Sequence, residues 1–254
     1  VRTGLDPKSV PFVPVAGLSG INFAKKSSLT QWYSGDSLLA SLDLASRTEA
    51  PENKPLRIPV QDVYKIGGVG TVPVGRVEYG RIVPEMPVFF APVDKFSQVR
   101  SIEASRLGGD FEGVPGDNIG FCVKRLYHHE IHRGCVCSDP SRDPAREALS
   151  FEAIIALRHP PNKISKGYTV VIDCHTAHIA CQVAEIYYKI DRRSGRLAER
   201  SPKFLTSYHC AKVKLIPQKP LCVEAFRDYP TLGLFAIRDM RMNIGHGIVT
   251  TVEK

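Results

Sequence analysis

The chain is 254 residues long and 43% apolar, and its 34 basic against 26 acidic side chains give a formal net charge of +8. That apolar content can supply the cores of two compact domains and excludes a disordered chain. No apolar run reaches the roughly 18–20 residues a bilayer-spanning helix needs, and no basic-then-apolar signal segment opens the sequence, so a cytoplasmic protein with no membrane partner is expected.

In chain order, Ser9–Val15 reads as a short buried strand leading into the turn Ala16-Gly17-Leu18-Ser19-Gly20. A short helix is expected near Ser37 to Ala45, where Leu38, Leu39, Leu42 and Leu44 make an apolar run. The polar, proline-rich stretch Glu49–Pro55 then reads as a linker. From Leu56 the texture changes to short Val-, Ile-, Tyr- and Phe-rich runs broken by Gly, Pro, Asn or Asp, the pattern of an antiparallel barrel. Strands are predicted at Val60–Ile66, Thr71–Glu78, Met86–Ala91, Phe96–Glu103 and Asn118–Lys124. A second boundary falls in Ser138–Pro144. The same texture resumes at Phe151, Tyr168, Ala184, Ala211, Leu221 and Gly233, predicting a second barrel. The expected domains are therefore 1–55, 56–146 and 147–254. The chain begins at Val1 rather than Met, and its first segment reads as the end of a domain, so a piece of a longer protein is expected.

Charge is distributed unevenly among these segments. Residues 1–55 carry 6 basic and 5 acidic side chains, 56–148 carry 12 and 12, and 149–254 carry 16 and 9. A basic excess confined to the last third fits a polyanionic partner touching that domain through phosphates, although a solvated basic face would look the same.

Two clusters resemble metal sites. Cys174, His175, His178 and Cys181 offer two thiolates and two imidazoles, but Val171–Cys181 reads as one continuous strand. Strand alternation would put Cys174 and His178 on one face and His175 and Cys181 on the other, so they could not share one tetrahedral ion; a tight loop or a helix would be needed to bring them together. His128, His129, His132 and Cys135 lack a supporting carboxylate or cysteine pair and read as a basic loop. No metal site is predicted. Seven cysteines, an odd number without a small-domain framework, fit reduced thiols. Gly67-Gly68-Val69-Gly70 lacks a following Lys and lies between strands, so it serves a turn; Gly-x-x-x-x-Gly-Lys-Ser/Thr and Gly-x-Ser-x-Gly do not occur. No catalytic residue is predicted.

Several segments together resemble the elongation factor 1-alpha family of eukaryotic and archaeal translational GTPases. They are Pro59–Glu78 (Pro-Val-Gln-Asp-Val-Tyr-Lys-Ile-Gly-Gly-Val-Gly-Thr-Val-Pro-Val-Gly-Arg-Val-Glu), Pro115–Phe121, Val171–Cys181, Lys189–Gly195 and Phe235–Arg241. The resemblance covers the whole chain. It implies a mainly β protein, two consecutive antiparallel β-barrels preceded by the α/β tail of a P-loop GTPase domain. Ala16-Gly17-Leu18 would be the remnant of the guanine loop, with the family's serine replaced by Ala16 and the Gly17 N–H still able to bind the guanine oxygen. GTP and Mg are implied for the full-length protein. Neither the phosphate loop nor Asn-Lys-x-Asp occurs in this chain, which is expected not to bind or hydrolyse GTP by itself.

The resemblance further implies that Gln61, Asp62, Tyr64, Val72, Val74, Glu103 and Asn118 line the pocket for the aminoacylated 3′ end of tRNA. Glu103 would cap the terminal adenine, and Tyr64 and Asn118 would border the amino acid. Read without the family, Asn118 supports the turn after Gly116-Asp117. The family's Met-His after the glutamate is Ala104-Ser105 here, which removes an imidazole. Arg238 and Arg241 would contact the tRNA backbone; the denser run Lys189, Arg192, Arg193, Arg196 and Arg200 is explained as well by a solvated hairpin. Implied partners are aminoacyl-tRNA, the ribosome, a guanine-nucleotide exchange factor and actin. Two other functions stay open: a related GTPase of termination or ribosome rescue, and a free-standing module binding actin or another protein.

Overall fold

The computed structural model describes residues 10–44, 52–104, 112–191 and 194–254. Its contacts divide the chain into two compact units, Val1–Glu49 and Ala50–Lys254.

In the first unit a 3-10 turn, Ser28–Thr30, precedes a helix α1, Leu38–Asp43. The helix forms where Leu and Ala follow a good N-cap: the Ser37 hydroxyl accepts from the Ala40 N–H and donates to the Ala24 carbonyl at 3.1 Å. The strand expected over 9–15 does not form in its described part. Residues 11–15 are irregular and Phe12 is 74% exposed. A strand needs a partner for its backbone groups, and among the described residues of this unit the nearest approach to one is a single bridge, Ala16 to Ile21. Ser9 lies outside the described residues, as does the linker core 45–51.

The second unit opens with β1 (Ile58–Ile66), β2 (Gly70–Arg76), β3 (Pro87–Ala91), β4 (Lys95–Ala104), β5 (Asn118–Val123) and β6 (Val136–Ser138). They close a barrel in the order β1-β2-β5-β4-β3-β6. Inward positions Ile58, Val60, Val88, Phe90, Val99, Ile119 and Phe121 are buried in its core. The first five strands coincide with the predicted ones to within two residues at each end. The sixth is not among the predicted strands, and only its last residue falls in the expected boundary; three residues suffice because β6 is paired on both sides, Ile58 to Cys137 and Phe90 to Cys137. Gly75 faces the bulge in β1, where a Cβ would stand 2.5 Å from the Pro59 carbonyl oxygen.

The second barrel uses β7 (Ser150–Leu157), β8 (Ile164–Ser165), β9 (Thr169–Cys174), β10 (Ala177–Ile190), β11 (Leu197–Arg200), β12 (Phe204–Leu205), β13 (Cys210–Pro217), a short helix α2 (Pro230–Gly233), β14 (Leu234–Asp239) and β15 (Met242–Glu253). The sheet runs β11-β10-β13-β7-β15-β14-β9, and β9 also pairs with β10, which closes six strands and leaves β11 outside the ring; β8 and β12 form a separate pair. Strict alternation along β7 and β13 sends Phe151, Ala153, Ile155, Leu157, Ala211, Val213 and Leu215 into the core.

Three expectations for this barrel are corrected. Val171–Cys181 is not one strand but a hairpin: β9 ends at Cys174, β10 starts at Ala177, and Cys174 pairs with Ala177 across the turn His175-Thr176. His175 takes a left-handed φ of 44° there. Leu221 lies in a buried irregular segment with no ladder, and Gly233 belongs to α2, where the Phe226 backbone comes within 2.5 Å of the position its Cβ would take.

The two barrels meet around Tyr79, Phe89, Val136, Ala145, Cys222, Tyr229 and Leu232. Above this apolar patch Arg57 is fully buried, yet its Nη2 bonds Asp143 at 2.9 Å and Glu224 at 3.1 Å. The guanidinium also donates to the Asp143 carbonyl at 2.8 Å and lies 4.4 Å from the Tyr229 ring centre. Lys254 Nζ approaches the second Glu224 oxygen at 2.7 Å. Against the cost of burial, the Tyr229 hydroxyl and the Arg57 charge hold the Asp143 carboxyl below its ordinary value.

Candidate functional site

The register of the first barrel aligns one row of side chains across four strands. Asp62 on β1 pairs with Val74 on β2, Val74 with Gly120 on β5, and Gly120 with Glu103 on β4. Directly paired residues share a face, and so do residues two apart. Tyr64 and Val72, themselves paired, and Asn118, two residues before Gly120, therefore join the same outer face. At Gly120 the row has no side chain: a Cβ there would stand 3.3 Å from Val72. The Val74 side chain would stand 3.7 Å from the same position, so the two valines close over the bare backbone of Gly120.

Six of the seven predicted 3′-end residues are brought together in this way. Gln61, the seventh, is the extra residue of the β1 bulge and is exposed. The Asp62 carboxylate accepts from the Val63 N–H at 2.8 Å and, hydrogen-bonded to the Tyr64 hydroxyl, raises that phenol above its ordinary value. Asn118 does not support the preceding turn: the Asp117 carboxylate does, accepting from the Val114 N–H at 3.3 Å. Below the row Cys122 is buried with its thiol on the Val69 carbonyl, and burial raises its pKa. The Ala104 side chain and Ser105 lie outside the described residues.

On the second barrel, Arg238 stands at the end of β14 and Arg241 in the two-residue turn Met240-Arg241, both of whose residues have positive φ, 45° and 66°. This is the backbone geometry whose twist matches a tight hairpin. Arg238 reaches Asp173 at 3.3 Å and the Arg241 carbonyl at 3.3 Å. Asp173 also pairs with His178, so it orients Arg238 from β9. Sequence reasoning missed that role; Asp173 and Arg238 are 65 residues apart, and the opposite charges carried no local signal. The denser basic run is partly engaged: Lys189 pairs with Glu199 at 2.7 Å. Arg192 and Arg193 lie outside the described residues.

The cysteine-histidine hairpin does not gather its four groups. Cys174 is fully buried with its thiol on the Leu232 carbonyl at 3.2 Å, and Cys181 points into the same core. His175 Nε2 lies 2.9 Å from the Cys222 carbonyl, an acceptor, so this nitrogen carries the proton. Burial lowers the His175 pKa to about 4 and raises those of Cys181 and Cys222 to about 12. At neutral pH these are therefore neutral imidazole and thiols. His178 is turned outward to Asp173. In the other histidine cluster, His132 faces Cys135 at 3.6 Å while His129 stacks on Tyr127. Among the described residues no three His, Cys, Asp or Glu side chains are grouped to hold a metal ion, and the seven cysteines form no disulfide.

In the first unit, Ala16-Gly17-Leu18 forms an exposed turn closed by the Ala16 N–H on the Ile21 carbonyl at 3.2 Å. Gly17 has no atom within 4 Å of its Cβ position. Among the described residues no helix is long and apolar enough to cross a membrane.

Two closed antiparallel barrels in tandem, joined by a buried arginine and carrying an aligned row of outward side chains on the first, define a tandem β-barrel protein of mainly β class. Residues 150–250 match the family described as GTP-eEF1A C-terminal domain-like. The chain is 50% identical to elongation factor 1-alpha of Absidia glauca over 100% of its own length and 58% of that protein. It is 47% identical to elongation factor 1-alpha of Eimeria bovis, with 99% of the chain and 72% of that protein covered. A crystal structure of sup35 complexed with GDP superimposes with a TM-score of 0.75 at 27% identity, covering 99% of this chain and 61% of that one. The chain belongs to the elongation factor 1-alpha family. It spans 58% of the length of the first of these relatives.

Proposed function

We propose that this chain is the tRNA-holding part of a translation elongation factor that carries aminoacyl-tRNA to the ribosomal A site in a GTP-dependent manner. The observation that carries the reading is the row Asp62–Val74–Gly120–Glu103, which shares its face with Tyr64, Val72 and Asn118. A flat base can lie along this row, Glu103 offers a carboxylate to its exocyclic amine, and Tyr64 and Asn118 leave polar space for an esterified amino acid. Gln61, exposed on the adjoining bulge, widens the polar rim. Arg238 and Arg241 on the second barrel supply phosphate contacts, which position a nucleic acid without reading its sequence.

The exposed turn Ala16-Gly17-Leu18 is read as the remnant of a guanine-binding loop of a GTPase domain, with residues 1–55 its tail and 56–146 and 147–254 the two barrel domains. GTP, when bound by the full-length protein with Mg, supplies the free energy of a two-state switch. This chain's own residues hold the tRNA end: the barrels keep one relative placement through Arg57 while the grip is made and released. Aminoacyl-tRNA, the ribosome and a nucleotide exchange factor are the partners this function requires, and the cytoplasm its place. Actin binding is a separate property with no feature of the described surface in its favour. Identities of 47–50% to elongation factors along the whole chain favour elongation over termination or rescue. Competition between charged and uncharged tRNA for the full-length, GTP-loaded protein tests the reading: equal affinity would refute it.

A further inference from the structure

A cavity of about 1050 Å³ opens at one end of the first barrel, between the β1–β2 hairpin, Arg100 and the segment Val123–His129. It is separate from the polar row. Thr71 pairs with both Lys65 and Val123, on the opposite side of the strands from Val72 and Val74. The cavity volume sits at the upper end of the range for small-ligand sites, about 300–1,000 Å³, and it is wide open.

Its chemistry is one-sided. Among the described residues no acidic side chain lines it, whereas Lys65, Arg100, Lys124, Arg125, His128 and His129 do. Lys124 is paired with Glu85 at 2.6 Å. Arg100 is held at the edge by the Val69 carbonyl at 3.3 Å. Lys65 and Arg125 make no ion pair among the described residues, and Arg125 is exposed on a left-handed backbone, φ 54°.

Beside these cations stands a flat aromatic surface. Tyr127 is 69% exposed, and His129 stacks on it with ring centres 5.6 Å apart and planes 12° from parallel. The platform is fixed from behind: Glu130 accepts from the Tyr127 N–H at 2.8 Å and is itself gripped by Lys95 at 2.7 Å. On the facing hairpin, Gly67 and Gly68 have nothing within 4 Å of their Cβ positions, which leaves the backbone accessible.

An exposed stacking surface next to unpaired cations is what a single strand of nucleic acid requires. Its bases offer free faces and its phosphates bring the charge, whereas a duplex hides its base faces. We propose that this barrel mouth binds an unpaired nucleotide of an RNA strand, its base stacked on the Tyr127–His129 platform and its flanking phosphates held by Lys65, Arg100 and Arg125. The site is independent of the 3′-end reading of the polar row.

Fluorescence anisotropy of a short labelled oligoadenylate titrated with the chain tests this. Tyr127→Ala should weaken binding roughly 5- to 100-fold while Tyr127→Phe binds as the parent does, because stacking needs the ring and not the hydroxyl. Arg125→Ala should lower the slope of log affinity against log salt by about 0.7, the share of one phosphate contact to a single strand. Lys219→Ala, an exposed charge on the other barrel, should leave oligonucleotide binding unchanged. The proposal is overturned if Tyr127→Ala binds as the parent does, if Lys219→Ala costs as much as Arg125→Ala, or if duplex RNA or AMP competes as well as the oligonucleotide. Loss of oligonucleotide binding in Glu103→Ala alone would place the strand on the polar row and would equally overturn it.

Discussion

Replacing Arg57 with Ala removes the one charged side chain among the described residues that is fully buried between the barrels. It deletes ion pairs to Asp143 and Glu224 at 2.9 and 3.1 Å, donations to the Leu56 and Asp143 carbonyls, and the contact with the Tyr229 ring. The Glu224 carboxylate, with its side chain 6% exposed, keeps its ion pair with Lys254 at 2.7 Å; Asp143, 55% exposed, turns to water. Breaking a buried pair by removing one member costs about 3–5 kcal/mol, and the surviving lysine places this case near 3. For a chain of this size that is roughly a 6–12 °C drop in thermal midpoint. The paired replacement Arg57→Met with Glu224→Met should recover most of the loss, since the parent network leaves Arg57 Nε buried without a partner. Calorimetry on the two variants decides it. A drop under about 2 °C for Arg57→Ala, or a double variant less stable than the single, would refute the view that this network clamps the barrels.

Glu103→Ala should weaken charged-tRNA binding by roughly 10-fold or more, the usual cost of losing a hydrogen bond to a charged group, and leave the thermal midpoint unchanged because Glu103 is exposed; unchanged affinity would remove it from the site. His175 contributes a pH dependence. Its pKa is about 4 in the folded chain against 6.5 ordinarily, so below 6.5 the unfolded state takes up a proton that the native state refuses. Its stabilisation is therefore complete above about pH 6.5 and is lost, on the order of 3 kcal/mol, as pH falls from there to about 4. His175→Asn, measured by urea unfolding across that window, should be less pH-sensitive than the parent by this amount; parallel curves would contradict it.

Much of the first barrel was legible because apolar alternation and Gly or Pro punctuation are local signals. They placed β1 to β5 closely, and the leucine run from Leu38 to Leu44 placed α1. What escaped depends on distant partners. The turn at His175-Thr176 carries no glycine or proline; His175 holds its left-handed backbone with its ring bonded to Cys222, 47 residues away. The strand Val136–Ser138 is too short to announce itself and exists because β1 and β3 flank it. The 3′-end residues came from family resemblance, whereas their alignment into a row through Gly120 depends on register, which a linear reading does not supply. The cavity at Tyr127 was seen only as a histidine-rich loop, since its other wall comes from residues some sixty positions earlier, at Lys65–Thr71.

The central claim is that the outer face of the first barrel recognises the aminoacylated end of tRNA. Its most direct test is the dissociation constant of the full-length, GTP-loaded protein for one tRNA in charged and uncharged forms, measured at a fixed salt concentration. The account predicts clearly tighter binding of the charged form, with that preference abolished by Glu103→Ala. Equal constants for the two forms would contradict it.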